Sequence, residues 1–479
     1  MLTRIAGLFS RGVLRRFASP AGRAGSVSAL AALMFIPALA LAGFSIDYGM
    51  ALRTRARLNG AADTAALAAV AMAQALTIAN QPAATVISQG QAAGASAFAA
   101  NAGPAAAYLK QPVSVGLVKT GRSYVSTISF SAAWPTIFGN VVKTSQINMG
   151  DSATATVTMP SYLDFYLLLD VSGSMGIPST ATGQNSLAAI NPDQKYYYPG
   201  GCTFACHFAP AMCPNNPPTS QSIACVGYDL SRTNGGATRV ANDYCPQPET
   251  SACIQLRLDA VAYATQQLLQ AAQLAETLPN QFRVGLYPFI VHMQPYSPIT
   301  STLSTISTAA TGLPGLLDTG SGTNVAGQLG SGGTHFDNAL SEMNSAITTF
   351  GDGSSASSPL PFVFLVTDGA QDNQYYLNSG GWTGSNHATT LNTANCALLR
   401  NNGVTVSVLY VPYAPIQNVN TSFAGDEDDY ANWNIPSIPP ALQACASPGF
   451  FFTANTPADI TAAMKAMFAE SMRISRLTN

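Results

Sequence analysis

The stretch from Asp164 to Met175 constrains the possible fold more than any other part of the chain. Within it an apolar run of strand length ends at Asp170, and two hydroxyl side chains follow at alternate positions, Ser172 and Ser174. Such an apolar run is typical of a strand covered on both faces, as in a parallel sheet with helices on either side. The Asp-x-Ser-x-Ser sequence would then lie at the carboxyl end of the strand, where open α/β sheets bind their ligands.

Strands and helices alternate through the region that surrounds this stretch. Further strands are predicted at 282–290, 361–366, 404–410 and 450–452. Helices are predicted at 254–269, from Thr334 onward, at 390–401 and at 457–472. This alternation predicts an α/β fold, with a doubly wound and mostly parallel sheet over residues 161–475. Residues 176–253 are too many for an ordinary connection and are interpreted as an insertion after the first strand.

Two distant segments add oxygen atoms to the first motif. Thr334 lies in a Gly-Gly-Thr sequence, and Asp368 lies in Thr-Asp-Gly directly after an apolar run. Hydroxyl and carboxylate oxygens suit Mg²⁺, Mn²⁺ or Ca²⁺ as ligands. In this order, Asp170, Ser172, Ser174, Thr334 and Asp368 resemble the metal-ion-dependent adhesion site (MIDAS) of von Willebrand factor A domains. The resemblance implies that the hydroxyls ligate a divalent cation, that the aspartates act directly or through water, and that a partner's carboxylate takes an open position.

The chemistry of these five residues favours such a site even without the resemblance. Neutral hydroxyls and only two formal charges leave a divalent ion under-neutralised, so that it attracts an outside acidic ligand. The alternative is that Ser172 and Thr334 only cap helix N-termini, and a Thr-x-x-Asp cap signature does begin at Thr334. His335 adjoins Thr334 and is a candidate contact for a partner.

The N-terminal part predicts a membrane anchor. Five arginines precede the first acidic residue, Asp47, and the apolar run Val27–Ile46 is long enough as a helix to cross a bilayer. The arginine excess predicts a cytoplasmic N-terminus and an exported remainder. A cleaved signal peptide is the alternative, since Ala40-Leu-Ala42 resembles a cleavage site. The length of the apolar run favours an uncleaved anchor.

An Ala-rich stretch with few helix breakers follows from Tyr48 to about Asn80, and it predicts that the helix continues. With the apolar run, residues 26–70 resemble the N-terminal segment of TadE/TadG-like proteins of Flp (Tad) pilus assembly. The resemblance implies an inner-membrane anchor with an exported C-terminal part. The predicted organisation is a basic cytoplasmic segment 1–24, an anchor and Ala-rich helix 25–80, and, over 81–160, a linker (81–105) followed by a small β-rich module.

The eight cysteines all follow residue 200, and six of them lie within 202–253. This clustering indicates a disulfide framework and an oxidising compartment, with Cys396 and Cys445 as a fourth pair. A haem reading of the Cys202–His207 stretch is disfavoured, because its two cysteines are one residue too far apart. The insertion leaves from beside the proposed metal, so four aromatic side chains could form a recognition surface there: Tyr196, Tyr197, Tyr198 and Phe208.

Taken together, the sequence predicts a binding protein and not an enzyme. The net charge of −2 gives no indication of nucleic acid as a partner. The expected partner is a protein that presents an acidic residue, such as a pilus or secretion component. Two alternatives remain: a metal-assisted hydrolase, for which no general base can be placed, and a structural spacer with an empty metal site.

Overall fold

The computed structural model describes residues 20–139, 143–192, 201, 203, 226–236, 238–248, 250–318, 328–377, 381–383, 388–413, 415 and 427–477. The chain divides into two compact units, Met1–Met159 and Pro160–Asn479.

The first unit is built on one long helix, α1 (Pro20–Ile78), which contains both the apolar run and the Ala-rich stretch. This confirms that the helix continues beyond the predicted anchor. A second helix, α2 (Ala83–Ala102), packs along α1. The linker interpretation of 81–105 is therefore wrong. The small residues serve close packing, since a Cβ at Gly90 would lie 2.4 Å from Leu117 and 3.2 Å from the Ala69 carbonyl oxygen.

A three-stranded antiparallel sheet completes this unit, in the order β1 (Ser114–Thr120), β2 (Ser123–Pro135) and β3 (Gln146–Thr158). The predicted β-rich module is thus confirmed, with longer strands than the sequence indicated. Side chains from β2 pack with side chains from both helices in one core, among them Leu58, Phe98, Ile128 and Phe130.

The second unit contains a six-stranded sheet with the order β13-β12-β7-β4-β5-β6. These strands are β4 (Leu163–Asp170), β5 (Phe282–Phe289), β6 (Ser297–Thr300), β7 (Leu360–Thr367), β12 (Thr405–Tyr410) and β13 (Phe451–Thr453). Only the short edge strand β6 is antiparallel to its neighbour. The predicted doubly wound, mostly parallel α/β sheet is confirmed.

Helices cover both faces of this sheet. One face carries α5 (Arg257–Ala275), α6 (Leu303–Ala310) and α11 (Pro457–Leu477), and the other carries α7 (Phe336–Ala346), α8 (Thr393–Asn401) and α10 (Ile438–Cys445). The central strand β4 shows why both layers are needed: Phe165, Leu167 and Leu169 belong to the first core, and Tyr166 and Leu168 to the second. Successive strand residues point to opposite faces, so an apolar run requires cover on both.

The remaining elements lie in connections. Helices α3 (Ala181–Ile190) and α4 (Val226–Thr233) belong to the insertion, and α9 (Glu427–Asn434) precedes α10. Two short β-ribbons follow β7, made of β8 (Ala370–Gln371), β9 (Tyr375–Leu377), β10 (Gly381–Thr383) and β11 (Thr389–Thr390).

A buried ion pair joins the insertion to α5. Nη1 and Nη2 of Arg232 donate to the Asp259 carboxylate, at 2.8 and 2.7 Å, and both side chains are fully buried. The Asp259 carboxylate also accepts from the backbone N–H groups of Cys245 and Leu256. The described end of the insertion is thereby fixed to the start of α5.

Two disulfides lie within the described ranges, Cys245–Cys253 and Cys396–Cys445. The second joins α8 to α10 and confirms the pairing expected from the sequence. Cys202, Cys206, Cys213 and Cys225 lie outside the described residues.

The two disulfides differ sixfold in the length of chain they close, 49 residues for Cys396–Cys445 and 8 for Cys245–Cys253. If they stabilise mainly by restricting the unfolded chain, replacing the first pair by alanines should lower the free energy of unfolding by about 4 kcal/mol, and replacing the second by about 2.5 kcal/mol. Denaturant titration followed by circular dichroism measures both. A larger loss for the short loop would show that native packing outweighs chain entropy.

Candidate metal centre

Parallel pairing brings the two predicted aspartates to one edge of the sheet. Asp170 is the last residue of β4, and Asp368 directly follows Thr367, the last residue of the neighbouring strand β7. The two strands pair in register up to Leu169 and Val366. A side-chain hydrogen bond joins the ends of the two strands, since the Thr367 hydroxyl donates to Asp170 Oδ2 at 2.6 Å. Ser172 and Ser174 follow Asp170, with their hydroxyl oxygens 3.3 Å apart.

The Gly-Gly-Thr segment reaches the same edge from another direction. The His335 N–H donates to the carbonyl oxygen of Ile290, the residue just past β5, at 2.9 Å. Thr334 and Asp372 exchange two backbone hydrogen bonds, at 2.9 and 3.1 Å. A Cβ on Gly333 would lie 2.4 Å from the carbonyl oxygen of Asp372, so this approach requires glycine. The segment therefore bridges the chain beyond β5 and the chain beyond β7, which flank β4.

The helix-capping alternative is wrong for both hydroxyls. Ser172 occupies an N-cap position without a side-chain capping hydrogen bond. The N-cap of α7 is His335 and not Thr334, and it too lacks a side-chain capping bond. The Thr-x-x-Asp signature also fails, because the Asp337 carboxylate accepts from Gln371 and Asn395 instead. Capping therefore does not account for hydroxyls at positions 172 and 334.

The two carboxylates are fully buried, which makes their charge expensive. Burial raises the pKa of Asp170, against hydrogen bonds from Ser172 and Thr367 that lower it. Burial, and then the neighbouring Asp170 carboxylate, raises the pKa of Asp368 to about 7, although the positive charge of Arg257 opposes the shift.

Asp368 Oδ1 is buried and has no hydrogen-bond partner among the described residues. A buried acceptor without a partner costs free energy that a bound cation would recover. The hydroxyl and carboxylate oxygens of the five residues are of the kinds that suit a divalent cation. In the described ranges, no group of three or more His, Cys, Asp or Glu side chains is placed to hold a metal.

Arg257 is a part of the site that sequence reasoning missed. It is the first residue of α5, its side chain is buried, and its Nη1 lies 3.4 Å from Asp368 Oδ2. Its Nη2 donates to the Pro412 carbonyl oxygen at 2.9 Å. A positive charge in the first turn of a helix is unfavourable, because it opposes the helix dipole. An arginine at this place in the sequence was therefore the signal that could have pointed to a special role. When both carboxylates are ionised, the site with Arg257 carries two negative charges and one positive charge.

Asp318 is a second residue that the sequence did not reveal. Its N–H donates to the Val171 carbonyl oxygen at 2.9 Å. Its buried carboxylate accepts from the Ser331 hydroxyl at 2.8 Å and from the Gly332 N–H at 2.7 Å. One residue thus links the Asp-x-Ser-x-Ser turn to the Gly-Gly-Thr segment. We assign it a positioning role, since both oxygens already accept hydrogen bonds.

Of the predicted partner contacts, His335 is buried, and its Nε2 lies 2.8 Å from the Gln374 carbonyl oxygen. Its ring is therefore engaged within the unit. Tyr196, Tyr197, Tyr198 and Phe208 lie outside the described residues.

The N-terminal segment is similar to a known protein family. Residues 25–75 match the family described as "Putative Flp pilus-assembly TadE/G-like". The TadE/TadG-like resemblance of this segment is confirmed. No curated protein matches the chain.

Solved structures similar to the chain include two pilus proteins. The vWF domain of the type V pili tip protein Mfa5 from Porphyromonas gingivalis is 12% identical, over 66% of this chain and 97% of that chain, with a TM-score of 0.34. The PilB minor pilin from Streptococcus sanguinis is 9% identical, over 77% of this chain and 80% of that chain, with a TM-score of 0.33.

A third similar structure is proximal thread matrix protein 1 from the mussel byssus, with a zinc-occupied MIDAS motif. It is 11% identical, over 65% of this chain and 48% of that chain, with a TM-score of 0.32. The chain thus spans about half the length of the mussel protein.

The raised pKa of Asp368 predicts how Mg²⁺ affinity depends on pH. Its folded value of about 7 exceeds the usual 3.8, so the metal-free protein gains stability from this group at low pH and loses it as the pH rises through 7. Mg²⁺ competes with that proton. As the pH increases toward 7, the affinity of the protein for Mg²⁺ should rise by up to about tenfold per pH unit, and above pH 7 it should level off. Calorimetric titration measures the slope, and an equal affinity on both sides of pH 7 would contradict it.

Removing the positive charge of Arg257 should strengthen metal binding. Arg257→Gln should raise Mg²⁺ affinity by about tenfold, because one charge close to the ion contributes on the order of 1–2 kcal/mol in a partly polar site. The metal-free variant should also lose about 3 kcal/mol of stability, since a buried carboxylate loses its counter-ion.

The matched control is Arg283→Gln. Arg283 pairs with Asp164 at the opposite end of β4, so this variant should lose stability without a change in Mg²⁺ affinity. Equal Mg²⁺ affinities for wild type and Arg257→Gln would show that Arg257 does not act on the ion.

Proposed function

We propose that the chain is a membrane-anchored, exported adhesion or scaffold protein of Flp/Tad pilus assembly or surface attachment. Its second unit would bind an acidic residue of a protein partner through a divalent cation, with Mg²⁺ the first candidate and Mn²⁺ or Ca²⁺ the others. The observation that carries the proposal is the approach of three segments, separated by up to two hundred residues, to one sheet edge. There a buried Asp368 oxygen has no hydrogen-bond partner within the described part of the chain.

Each residue would have a definite task in this site. The Ser172, Ser174 and Thr334 hydroxyls would hold the cation without neutralising it. Asp170 and Asp368 would supply the two negative charges, directly or through water. A bound cation would supply an electrophilic position that a partner's carboxylate can occupy.

The support for the cellular setting comes from the first unit. The TadE/G-like match at 25–75 places the pilus-assembly resemblance on α1. Among the described residues, one helix is long and apolar enough to cross a membrane, and the qualifying segment begins at Leu33. The excess of arginines before Asp47 supports a cytoplasmic N-terminus in an inner membrane, which would export both units.

Binding without turnover is also part of the proposal. A hydrolase would need a group that takes a proton from a metal-bound nucleophile. Among the described residues, three charged side chains near the site already have partners: Asp318 accepts from Ser331 and Gly332, Asp372 accepts from the Gln374 N–H, and Arg257 faces Asp368.

One observation favours a second candidate, a structural spacer without a metal. Arg257 neutralises part of the Asp368 charge from within the chain, so the site is partly compensated when no cation is bound. In that case any partner would bind independently of Mg²⁺.

Metal-dependent capture separates these candidates. The full chain, reconstituted in lipid nanodiscs, should retain a partner from a membrane extract of the source cells in Mg²⁺ and release it in EDTA. Asp368→Asn should abolish this capture because it removes one of the two anionic ligands, as followed by quantitative mass spectrometry.

The control variant is Asp352→Asn. It makes the same chemical change on an exposed loop before β7, at the other end of that strand, and it should capture normally. Capture that is indifferent to EDTA and to Asp368→Asn would support the spacer. Chemical conversion of the retained protein would support the hydrolase.

A further inference from the structure

The buried Asp47 carboxylate on α1 holds in place a loop of the β-rich module, residues 137–139, which follows β2. Asp47 Oδ1 accepts from the Ile137 N–H at 3.0 Å, and Oδ2 accepts from the N–H groups of Phe138 and Gly139 at 2.8 and 2.9 Å. Asp47 is only 2% exposed, although apolar residues precede it on the helix. Three backbone donors at the turn after β2 are thereby satisfied by one side chain.

The two side chains next to this carboxylate are large, apolar and solvent-facing. Ile137 is 76% exposed and Phe138 is 43% exposed. Phe138 also lies against the helix, since a Cβ on Gly43 would be 2.5 Å from its ring. Gly43 thus provides the space in which the ring rests. Asp47 and Gly43 therefore hold the exposed apolar pair Ile137 and Phe138 in a defined position on the unit.

Contacts along α1 determine the position of this loop along the helix axis. Asp47 binds the loop, and Arg55 and Asn59 donate to Asp151 of β3. The Thr77 hydroxyl, which donates to the Ala73 carbonyl oxygen, lies 3.0 Å from the Tyr124 hydroxyl near the start of β2. From Asp47 to Thr77 the helix rises roughly 45 Å, and from Tyr124 to Ile137 an extended chain covers roughly 43 Å. The sheet therefore runs alongside the helix, and the loop marks the sheet end nearest the apolar run.

That end coincides with the boundary of the proposed membrane span. The apolar run Val27–Ile46 stops one residue before Asp47, and Gly43 lies one helical turn, roughly 6 Å, inside it. Phe138 is thus level with the last turn of the span. The exposed apolar surface of α1 continues up to it through Leu39, Leu41 and Ile46.

We infer that Ile137 and Phe138 insert into the interface of the bilayer that α1 crosses, on the exported side. The occupant of this apolar surface is lipid, because the surface continues that of the span itself. Asp47 suits the loop to this position, since backbone N–H groups near hydrocarbon need an internal acceptor. Lys143, exposed just after the loop, adds a positive charge for lipid phosphates. The inference rests on the proposed anchor, which it extends to a second point of contact.

Depth-dependent quenching tests the inference on the full chain in phosphatidylcholine vesicles. An environment-sensitive fluorescent amino acid replaces Ile137, and brominated phosphatidylcholine serves as the quencher. Val118 is the matched control, because it is 59% exposed and lies on β1 toward the far end of the sheet. Leu39, 61% exposed within the span, reports on the anchor itself.

The expected result is loss of fluorescence at Leu39 and at Ile137, with fluorescence at Val118 retained. Quenching at Leu39 but not at Ile137 would overturn the loop contact and leave the anchor intact. Absence of quenching at Leu39 would overturn the anchor, and the loop contact with it.

Asp47→Asn separates the loop's support from the span. The variant replaces one of the accepting oxygens with a donor, so the Ile137 probe should lose much of its quenching while the Leu39 probe keeps it. Circular dichroism confirms that the variant retains its folded sheet. Undiminished quenching at Ile137 in this variant would overturn the assigned role of the carboxylate.

Discussion

The in-register parallel pairing of β4 with both of its neighbours is the constraint on which the candidate site depends. Because β4 ends level with β5 and β7, Asp170, the chain beyond Phe289 and the Thr367–Asp368 step emerge at one edge. Packing does not use these oxygens, since the alternating apolar side chains of β4 already fill the cores on both faces. The edge is therefore free to carry chemistry, and the Thr367–Asp170 hydrogen bond joins its two carboxylate segments.

The balance of charge at this edge determines what it can bind. Burial makes the charge of both carboxylates costly and raises both pKa values, and the neighbouring Asp170 charge adds to the shift at Asp368. Arg257 offsets part of it from inside the fold, and a divalent cation would offset the rest. The same arginine would weaken the attraction of the site for a cation, so a change that raises metal affinity would lower the stability of the metal-free protein. A site of this kind suits reversible, metal-dependent binding better than a permanent structural metal.

The parts of the structure that follow from local pattern were predictable from the sequence. Apolar runs that end in oxygen ligands give β4 and β7, and with them the positions of Asp170 and Asp368. Composition misled over 81–105, where Ala and Gly suit a flexible linker as well as the tightly packed helix α2. Arg257, Asp318 and the Asp47-bound loop were missed for a different reason, which is that their partners are distant in the sequence. Asp368 lies 111 residues from Arg257, Val171 lies 147 residues from Asp318, and Phe138 lies 91 residues from Asp47. Long-range polar contacts of this kind leave no periodic signal.

The central claim is that the five oxygens converge on one cation. The most direct measurement is an anomalous diffraction map from crystals of the protein grown with Mn²⁺. The account predicts a single strong peak at the carboxyl edge of β4, roughly 2.1–2.3 Å from the Ser172 and Ser174 hydroxyl oxygens, with Thr334 and the two aspartates around it. A map without a peak there, with the Arg257 guanidinium seated between Asp170 and Asp368, would contradict it.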